Sequence, residues 1–282
     1  EHCFFDNLSP AVTHQGISGG IYIWGINAVV RCNRFRDTEL DCVYISRSSG
    51  GSGPHGAQIY GNDIELPVGI TTDGPDCIQV ASTNGFEDIE IYDNWLVHAS
   101  NMKQCVVVSG TSTSGDAVDI LNNWCFGPDQ TQPYPLNDPI RKGKSIYLEC
   151  QNAVVEGNYI ESGTWGIGLY GAGSRARGNL LIFDSPGVTI DIGIIIQGDN
   201  TDVSFNTFIV LSGTVTEAVE HYDVGVTGVT ITDNLIDVRG GTLSVGIRRH
   251  PSSSTEARNV VYGAVLPYTN QGSGAISPDA TS

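Results

Sequence analysis

The sequence predicts an all-β fold in which the chain winds into a solenoid of short strands, and three observations favour this class. Short phrases that end in an asparagine recur every 21 to 35 residues, from Asn33 to Asn234. These phrases alternate apolar and polar residues with the period of two that is typical of strands, and they lack the helical period of 3.6. Glycine is abundant, with 35 residues, as in folds that contain many turns.

The recurring asparagines define the coil. They are Asn33, Asn62, Asn94, Asn123, Asn158, Asn179, Asn206 and Asn234, with Gly263 in the last coil. A repeat of roughly 20 to 50 residues is typical of stacked architectures. Asparagine tolerates the left-handed backbone conformation of tight turns, and stacked asparagines hydrogen-bond to one another. We therefore expect about nine coils of three strands each, stacked at about 4.8 Å.

Two further strands complete the predicted coil, one directly after each asparagine and one upstream of it. The residue two positions after each asparagine is usually apolar and is expected to point into the core, as Phe35, Ile64 and Leu96 do in the first coils. Another alternating phrase lies upstream of most anchors, as in "CVYIS", "CIQVAS", "CVVVS" and "SIYLE". Because coils stack, residues at equal positions of successive phrases should form columns in space.

With these phrases the chain resembles the right-handed parallel β-helix, or pectin-lyase-like, superfamily, which includes polysaccharide lyases, hydrolases, epimerases and phage tailspikes. The resemblance spans Cys3 to Val265, and we predict a β-helix over 1–266 and a C-terminal tail over 267–282. Members usually bind sugar along the "CVYIS"-type strand, between variable loops. The resemblance implies a polysaccharide partner and an extracellular location, either secreted or on a virion or cell-surface appendage. One fold hosts many functions, so the chemistry needs its own argument.

Charge and composition limit the classes of partner that the protein can bind. The net charge of −17 argues against nucleic-acid binding, which needs a basic face. No apolar run reaches the roughly 18 residues of a membrane span. Seven cysteines are present without the spacing of a zinc site, so at least one thiol is unpaired within the chain. The chain begins within a repeat, and we expect further sequence upstream.

Two aspartates are candidate chemical groups. Asp41 and Asp76 fall in the same column of adjacent coils, about 5 Å apart. Carboxylates this close share a proton or bind a cation, which predicts either a catalytic pair or a Ca²⁺ site formed with nearby Asp73. The alternative is that each aspartate caps a turn and faces water. The phrase "DGPDCIQVAS" is similar to a polygalacturonase motif, but only Asp76 and Cys77 match it, because Pro75 replaces its first aspartate.

The lysines are candidates for the general base of a lyase reaction. All three lie in loops that lead to the expected cleft, and Lys103 and Lys144 are the candidates. The resemblance implies such a role, because polysaccharide lyases of this fold use a lysine or arginine base and calcium or arginine to neutralise a uronate. Abstracting a proton next to a carboxylate requires that neutralisation. The alternative is that the lysines only solubilise a long loop.

Strand alternation predicts two surfaces. On the "CVYIS"-type strands it turns aromatic and polar side chains outward, which suits sugar rings but also suits sheet surfaces without a ligand. This expected sugar platform comprises Tyr22, Trp24, Tyr44, Gln79, Tyr147, Glu149 and Tyr170. On the strand after each asparagine it predicts an apolar wall that loops or another subunit must cover. This expected interface comprises Trp95, Trp124, Tyr159, Leu180 and Ile182.

Two functions from different classes follow. The first is a polysaccharide lyase or glycoside hydrolase acting on an acidic or neutral polysaccharide, with Asp41, Asp76 and a lysine in the cleft. The second is a non-catalytic shaft, such as a fibre, tailspike or filament subunit, which forms a trimer or filament through the apolar wall. Cys42, Cys77 and Cys105 align in three coils, where we expect reduced thiols in the core, although a disulfide between neighbouring coils is geometrically feasible.

Overall fold

The protein is a parallel β-helix. The computed structural model describes residues 4–6, 20–23, 27–36, 41–46, 55–66, 76–81, 85–98, 104–110, 118–127, 144–161, 165–222, 225–249 and 254–270. Within these ranges every strand pairing between coils is parallel, and no helix occurs. The predicted fold class is therefore confirmed. No helix in this part of the chain has the length and apolar character needed to cross a membrane.

Each coil contributes strands to three faces. The first-strand face contains β2 (Ile21–Ile23), β5 (Val43–Ser46), β8 (Ile78–Ala81), β11 (Val106–Ser109), β14 (Lys144–Leu148), β17 (Trp165–Leu169), β24 (Thr242–Arg249) and β27 (Ala264–Asn270). The second-strand face is a separate sheet of β3 (Val29–Arg31), β6 (Gln58–Tyr60), β9 (Ile89–Tyr92), β12 (Val118–Leu121), β15 (Val154–Glu156), β18 (Arg175–Arg177), β20 (Asp202–Ser204), β22 (Val229–Thr232) and β25 (Ser254–Ala257).

The third-strand face follows the asparagine column. It contains β1 (Phe4–Asp6), β4 (Arg34–Arg36), β7 (Asp63–Glu65), β10 (Trp95–Val97), β13 (Trp124–Phe126), β16 (Tyr159–Glu161), β23 (Leu235–Val238) and β26 (Val260–Tyr262). Two long strands, β19 (Leu180–Ile196) and β21 (Thr207–His221), begin on this face and end on the first-strand face. They join the two faces into one sheet. The domain boundary predicted at 266 falls inside β27, which runs to Asn270.

Period-two alternation builds the core, as the sequence predicts. From Phe35 to Ile236, the apolar residue two positions after each asparagine is fully buried and lies in register with its equivalents in the adjacent coils, as Leu96 lies between Ile64 and Cys125. Inward side chains from the other two faces, such as Ile45 and Ile91, complete the same cluster. One continuous apolar core thus runs along the helix axis, with the outward residues of each strand left for contacts with solvent or partners.

The anchor asparagines form a buried, hydrogen-bonded column. Each side-chain NH₂ donates to the side-chain oxygen of the next asparagine at 2.9 to 3.1 Å, from Asn33 through to Asn259. The same oxygen accepts the backbone N–H of the preceding asparagine. The last member is Asn259, which corrects the assignment of Gly263 to that position.

The left-handed residue of the corner is the one before the asparagine, which corrects the expectation that the asparagine itself adopts this conformation. Positive φ occurs at Cys32, Gly61, Asp93, Asn122, Gly157, Gly178, Phe205, Asp233 and Arg258, each directly preceding a column asparagine. The left-handed residue turns the chain sharply, and the asparagine after it can then point inward. The anchor is asparagine because its amide both donates and accepts within the column.

Candidate functional site

The first-strand face carries the predicted outward row. Strand register places Tyr22 beside Tyr44, Tyr44 beside Gln79, and Val107 beside Tyr147 in successive coils. Tyr22, Tyr44, Gln79 and Tyr147 are all partly exposed. The rings of Tyr22 and Tyr44 pack with centroids 4.9 Å apart at 35°. Alternation therefore predicted this row correctly, whereas its role in binding sugar is a separate question.

A second cluster of aromatic and acidic groups lies farther along the same face. The rings of Tyr147 and Tyr170 are 4.9 Å apart at 53°, and the Tyr147 hydroxyl donates a short hydrogen bond to exposed Glu149. The next two coils continue this outer row with Gln197 and Tyr222, which is 54% exposed. We call Tyr147, Glu149, Tyr170, Gln197 and Tyr222 the first-face patch. It offers rings, a carboxylate and an amide to solvent.

Burial and negative charge act together on the tyrosines of the patch. Desolvation, followed by the hydrogen bond to Glu149 and its charge, raises the pKa of Tyr147 well above its usual value. Desolvation, followed by the charges of Glu149 and Glu220, likewise raises the pKa of Tyr170. Both phenols are therefore neutral over the physiological range. The Tyr147 proton is donated to Glu149, so the Tyr147 oxygen can accept a hydrogen bond from a ligand hydroxyl, while both rings supply apolar surface.

The floor beneath the patch is more deeply buried. Trp165, Ile192 and Ile195 pack together, each at most 8% exposed, with Tyr170 against them. Glu217 lies in register with Ile192, and Glu220 with Ile195. Arg248 forms a short ion pair with Glu217, and its Nε lies 4.0 Å from Glu220. The patch therefore rests on an apolar cluster that borders two buried carboxylates and one guanidinium.

Sequence reasoning missed this floor. Trp165, Glu217, Glu220 and Arg248 were not among the predicted site residues: Trp165 directly precedes the alternating phrase "GIGLYG", and the other three lie outside the phrases recognised as first strands. Glu217 and Glu220 belong to β21, in which the third and first strands are continuous, as they are in β19. The usable signal was the equal spacing of "WGIGLYG", "DIGIIIQG" and "EAVEHY", which places Trp165, Ile192 and Glu217 at matching positions.

Asp41 and Asp76 occupy adjacent coils as expected, and both are buried. The Asp76 backbone N–H donates to Asp41 Oδ1 at 2.7 Å, and the Gln104 N–H donates to Asp76 Oδ1 at 2.8 Å. The two carboxylates thus cap the N–H of the next coil, in the manner of the asparagine column. This geometry supports a structural role. Their predicted catalytic and metal-binding roles remain predictions.

The other predicted site residues lie partly outside the described ranges. Trp24, Asp73 and Lys103 are not among the described residues. Lys144 begins β14, and its backbone is in register with Trp165. Among the described residues, no group of three or more histidine, cysteine, aspartate or glutamate side chains could hold a metal ion. The predicted Ca²⁺ site includes Asp73, so it is not tested by this observation.

The aligned cysteines form a buried thiol cluster. Cys42, Cys77 and Cys105 are fully buried, and no disulfide joins them to one another. Cys105 lies in side-chain contact with both Cys77 and Cys125, and its Sγ is 3.5 Å from the Leu96 carbonyl oxygen. Burial is the main cause that raises the pKa of Cys77 to about 11. The expectation of reduced thiols in the core agrees with this arrangement.

The third-strand face carries the predicted apolar wall. Trp95 and Trp124 are paired in register and are 46% and 44% exposed. Phe126 joins them to Tyr159, with ring centroids 4.4 Å from Trp95 and 5.7 Å from Tyr159. Leu180 and Ile182 continue the wall in the next coil and are partly exposed. We call these six residues the third-face strip. Its role as an interface remains a prediction.

Comparison with known proteins identifies the fold and no family. No family model matches the sequence, and no curated protein sequence matches it. Among solved structures, the chain is similar to a mutant tailspike protein of E. coli bacteriophage HK620 in complex with a pentasaccharide. The TM-score is 0.59 and the identity 12%, over 95% of this chain and 51% of the tailspike. The chain therefore spans about half the length of that tailspike, and at this identity the similarity shows the fold alone.

Proposed function

We propose that the chain is an extracellular polysaccharide-binding protein that holds its sugar chain on the first-face patch. The observation that carries the proposal is the pair of tyrosine rings 4.9 Å apart on neighbouring coils, next to the carboxylate of Glu149. Pyranose faces stack on such rings, while carboxylates and amides accept and donate hydrogen bonds to hydroxyls. The tailspike with the same fold binds a pentasaccharide, which supports this assignment and a location on a virion or cell-surface appendage.

Binding is tested by removing the rings. Tyr147→Ala and Tyr170→Ala should each weaken binding to immobilised bacterial lipopolysaccharide or plant polysaccharide by about tenfold, the equivalent of about 1.4 kcal/mol. Tyr262→Ala, which removes a 52% exposed ring from the third-strand face, is the matched control and should bind normally. Unchanged affinity in both patch variants would contradict the assignment of the binding site. If the unaltered protein bound no polysaccharide, the proposed function itself would be wrong.

We extend the proposal to cleavage of the bound chain by hydrolysis. Glycoside hydrolysis uses two carboxyl groups that flank the scissile bond. Glu217 and Glu220 lie three residues apart on β21, beneath the patch, and Arg248 contacts the first and approaches the second. The competing prediction is an eliminating lyase with Lys103 or Lys144 as base and Ca²⁺ at Asp41, Asp73 and Asp76.

Product chemistry separates the two mechanisms. Hydrolysis releases saturated reducing ends, whereas elimination creates an unsaturated uronate that absorbs in the ultraviolet. We expect the unaltered protein to release reducing ends and Glu217→Gln to release none. Asp76→Asn should retain the activity, since the asparagine oxygen can still accept the Gln104 N–H. Thermal unfolding of both variants checks that the fold persists. Unsaturated products, or activity lost only in Asp76→Asn, would favour the lyase. Binding without turnover would leave a binding protein.

A second candidate function is assembly into a shaft, and the third-face strip is the observation that favours it. Exposed tryptophans on adjacent coils form a contiguous apolar surface of the kind that soluble monomers rarely leave bare. Sedimentation velocity should show a trimer or larger species that dissociates in the double variant Trp95→Ser and Trp124→Ser. The Tyr262→Ala protein is again the control. A monomer at all concentrations would exclude assembly of this chain through the strip.

A further inference from the structure

We infer that the polysaccharide held by the first-face patch is neutral and carries no uronate at the bound positions, an inference that rests on the proposed binding function. Of the acidic and neutral polysaccharides that the sequence leaves open, it selects the neutral class. The charges that the described residues place around the two tyrosine rings favour this ligand.

The described charges of the patch and its floor are predominantly negative. Glu149 is exposed beside Tyr147, whereas Glu217 and Glu220 are only 4% and 5% exposed beneath the patch. Arg248 is the basic partner, and it is already engaged with Glu217 and close to Glu220. Three carboxylates therefore face one guanidinium in this part of the described chain.

Two of these carboxylates act on the ring of Tyr170. Burial is the main cause that raises the pKa of Tyr170, and the charges of Glu149 and Glu220 raise it further. A ligand carboxylate on this ring would meet the same charges. A tenfold loss of affinity corresponds to about 1.4 kcal/mol, which is about a third of the repulsion between two unit charges ~4 Å apart near a protein surface before screening by salt.

A neutral sugar meets no such repulsion and uses the same groups favourably. Its hydroxyls can donate to the Glu149 carboxylate in charge-assisted hydrogen bonds, and the partly exposed Gln197 amide can both donate and accept further hydrogen bonds. The outer row Glu149, Tyr170, Gln197 and Tyr222 advances one coil at a time, at about 4.8 Å per coil. Polar and aromatic groups thus alternate along a line that a sugar chain can follow.

The test is binding of the intact chain to an array of neutral and uronate glycans of matched length, in low salt with EDTA. We expect at least tenfold tighter binding to the best neutral glycan than to the best uronate glycan. Glu149→Gln should reduce this ratio severalfold, and high salt should do the same in the unaltered protein. Glu156→Gln, which changes an exposed glutamate on the second-strand face, should leave the ratio unchanged.

The outcomes separate this inference from the proposed function. Equal or tighter binding of uronate glycans overturns the neutral ligand while the polysaccharide-binding function stands. A ratio that does not change in Glu149→Gln overturns the role of the patch charge. Absence of binding to every glycan on the array overturns the proposed function together with the inference. Lys144→Gln is included because its backbone lies in register with Trp165, and the neutral preference should persist without this lysine.

Discussion

At the scale of single residues, the corner before each asparagine shows where sequence and backbone disagree. Glycine, asparagine and aspartate fill most of the left-handed positions, as their low steric cost predicts. Phe205 is different, because it holds a φ of 58° with its side chain 64% exposed. A bulky residue in this region carries strain of about 1–2 kcal/mol, and its exposed ring recovers little through packing.

Replacing Phe205 by asparagine should therefore stabilise the protein by about 1 kcal/mol, because asparagine adopts the left-handed conformation at lower cost. Urea unfolding followed by circular dichroism measures the change. Tyr262→Asn is the control, since it also removes an exposed ring but from a residue without positive φ. A Phe205→Asn protein that is less stable than the original would show that the ring makes a contact worth more than the strain.

Cys77 links burial to the pH dependence of stability. Its pKa is raised from 9.0 to about 11 in the folded state, chiefly by desolvation. The neutral thiol contributes stability that is fully present below pH 9 and is lost as the pH rises through 11, because only the unfolded chain ionises readily in that interval. The stability difference between the unaltered protein and Cys77→Ala should therefore shrink by about 2–3 kcal/mol between pH 8 and 11.

Unfolding in urea at both pH values measures this difference, and the other buried cysteines and the tyrosines largely cancel in the comparison. A difference that stays constant with pH would mean that Cys77 ionises equally in both states.

Residue positions were predictable, whereas residue partners were not. Counting along the repeat placed Asp41 beside Asp76 and Cys77 beside Cys105, and the structure places them so. The sequence did not reveal that Asp76 would accept the Gln104 N–H, because a carboxylate at a strand start can face either water or the next coil. A catalytic role inferred from aligned residues therefore depends on the direction of their side chains. Strand alternation does not predict this direction where the backbone bends.

At the scale of elements, the asparagine column is the structural device that holds successive corners in register. Each amide is buried and both donates and accepts, so removing one member leaves polar groups of its neighbours without partners. Each buried polar group that loses its hydrogen-bond partner lowers the free energy of unfolding by about 1–3 kcal/mol.

Asn123→Ala should consequently destabilise the protein by about 2–4 kcal/mol, because it removes the acceptor of the Asn94 backbone N–H and side-chain NH₂ and the side-chain donor to Asn158. Thermal and urea unfolding give the value. The adjacent Asn122 is exposed and left-handed, so Asn122→Gly preserves its conformation and should cost less than about 1 kcal/mol. Equal losses in the two variants would show that the column contributes no more than an ordinary turn residue.

The ends of the strands were harder to predict than the alignment of equivalent strands in successive coils. The short strands bounded by asparagine and glycine were recognisable from period two. The continuous strands β19 and β21 were not, since the Ser-Pro-Gly segment at 185–187 and the Ser-Gly segment at 212–213 are typical of turns and predict a break in each strand. For the same reason the floor of the first-face patch, with Glu217 and Glu220, escaped the sequence analysis.

At the scale of the whole molecule, a solenoid is stabilised mainly by contacts between neighbouring coils. Except at the two ends of the stack, each strand of the described chain pairs with the equivalent strands one coil before and after, and the apolar core runs along the axis. Stability in such a fold approximates a sum of nearest-neighbour terms, so a local defect should remain local.

Ile120 offers the test, because it is fully buried on β12 between Ile91 and Val155 in the adjacent coils. Ile120→Ala should destabilise the protein by about 2–5 kcal/mol through the cavity it leaves. Hydrogen exchange followed by mass spectrometry should show lost protection in peptides covering 85–98, 118–127 and 144–161, with 225–249 unchanged. Val260→Ala, which truncates a 37% exposed side chain, is the control and should leave exchange unaltered. Loss of protection along the entire chain would mean that the coils unfold as one cooperative unit, with coupling that extends well beyond adjacent coils.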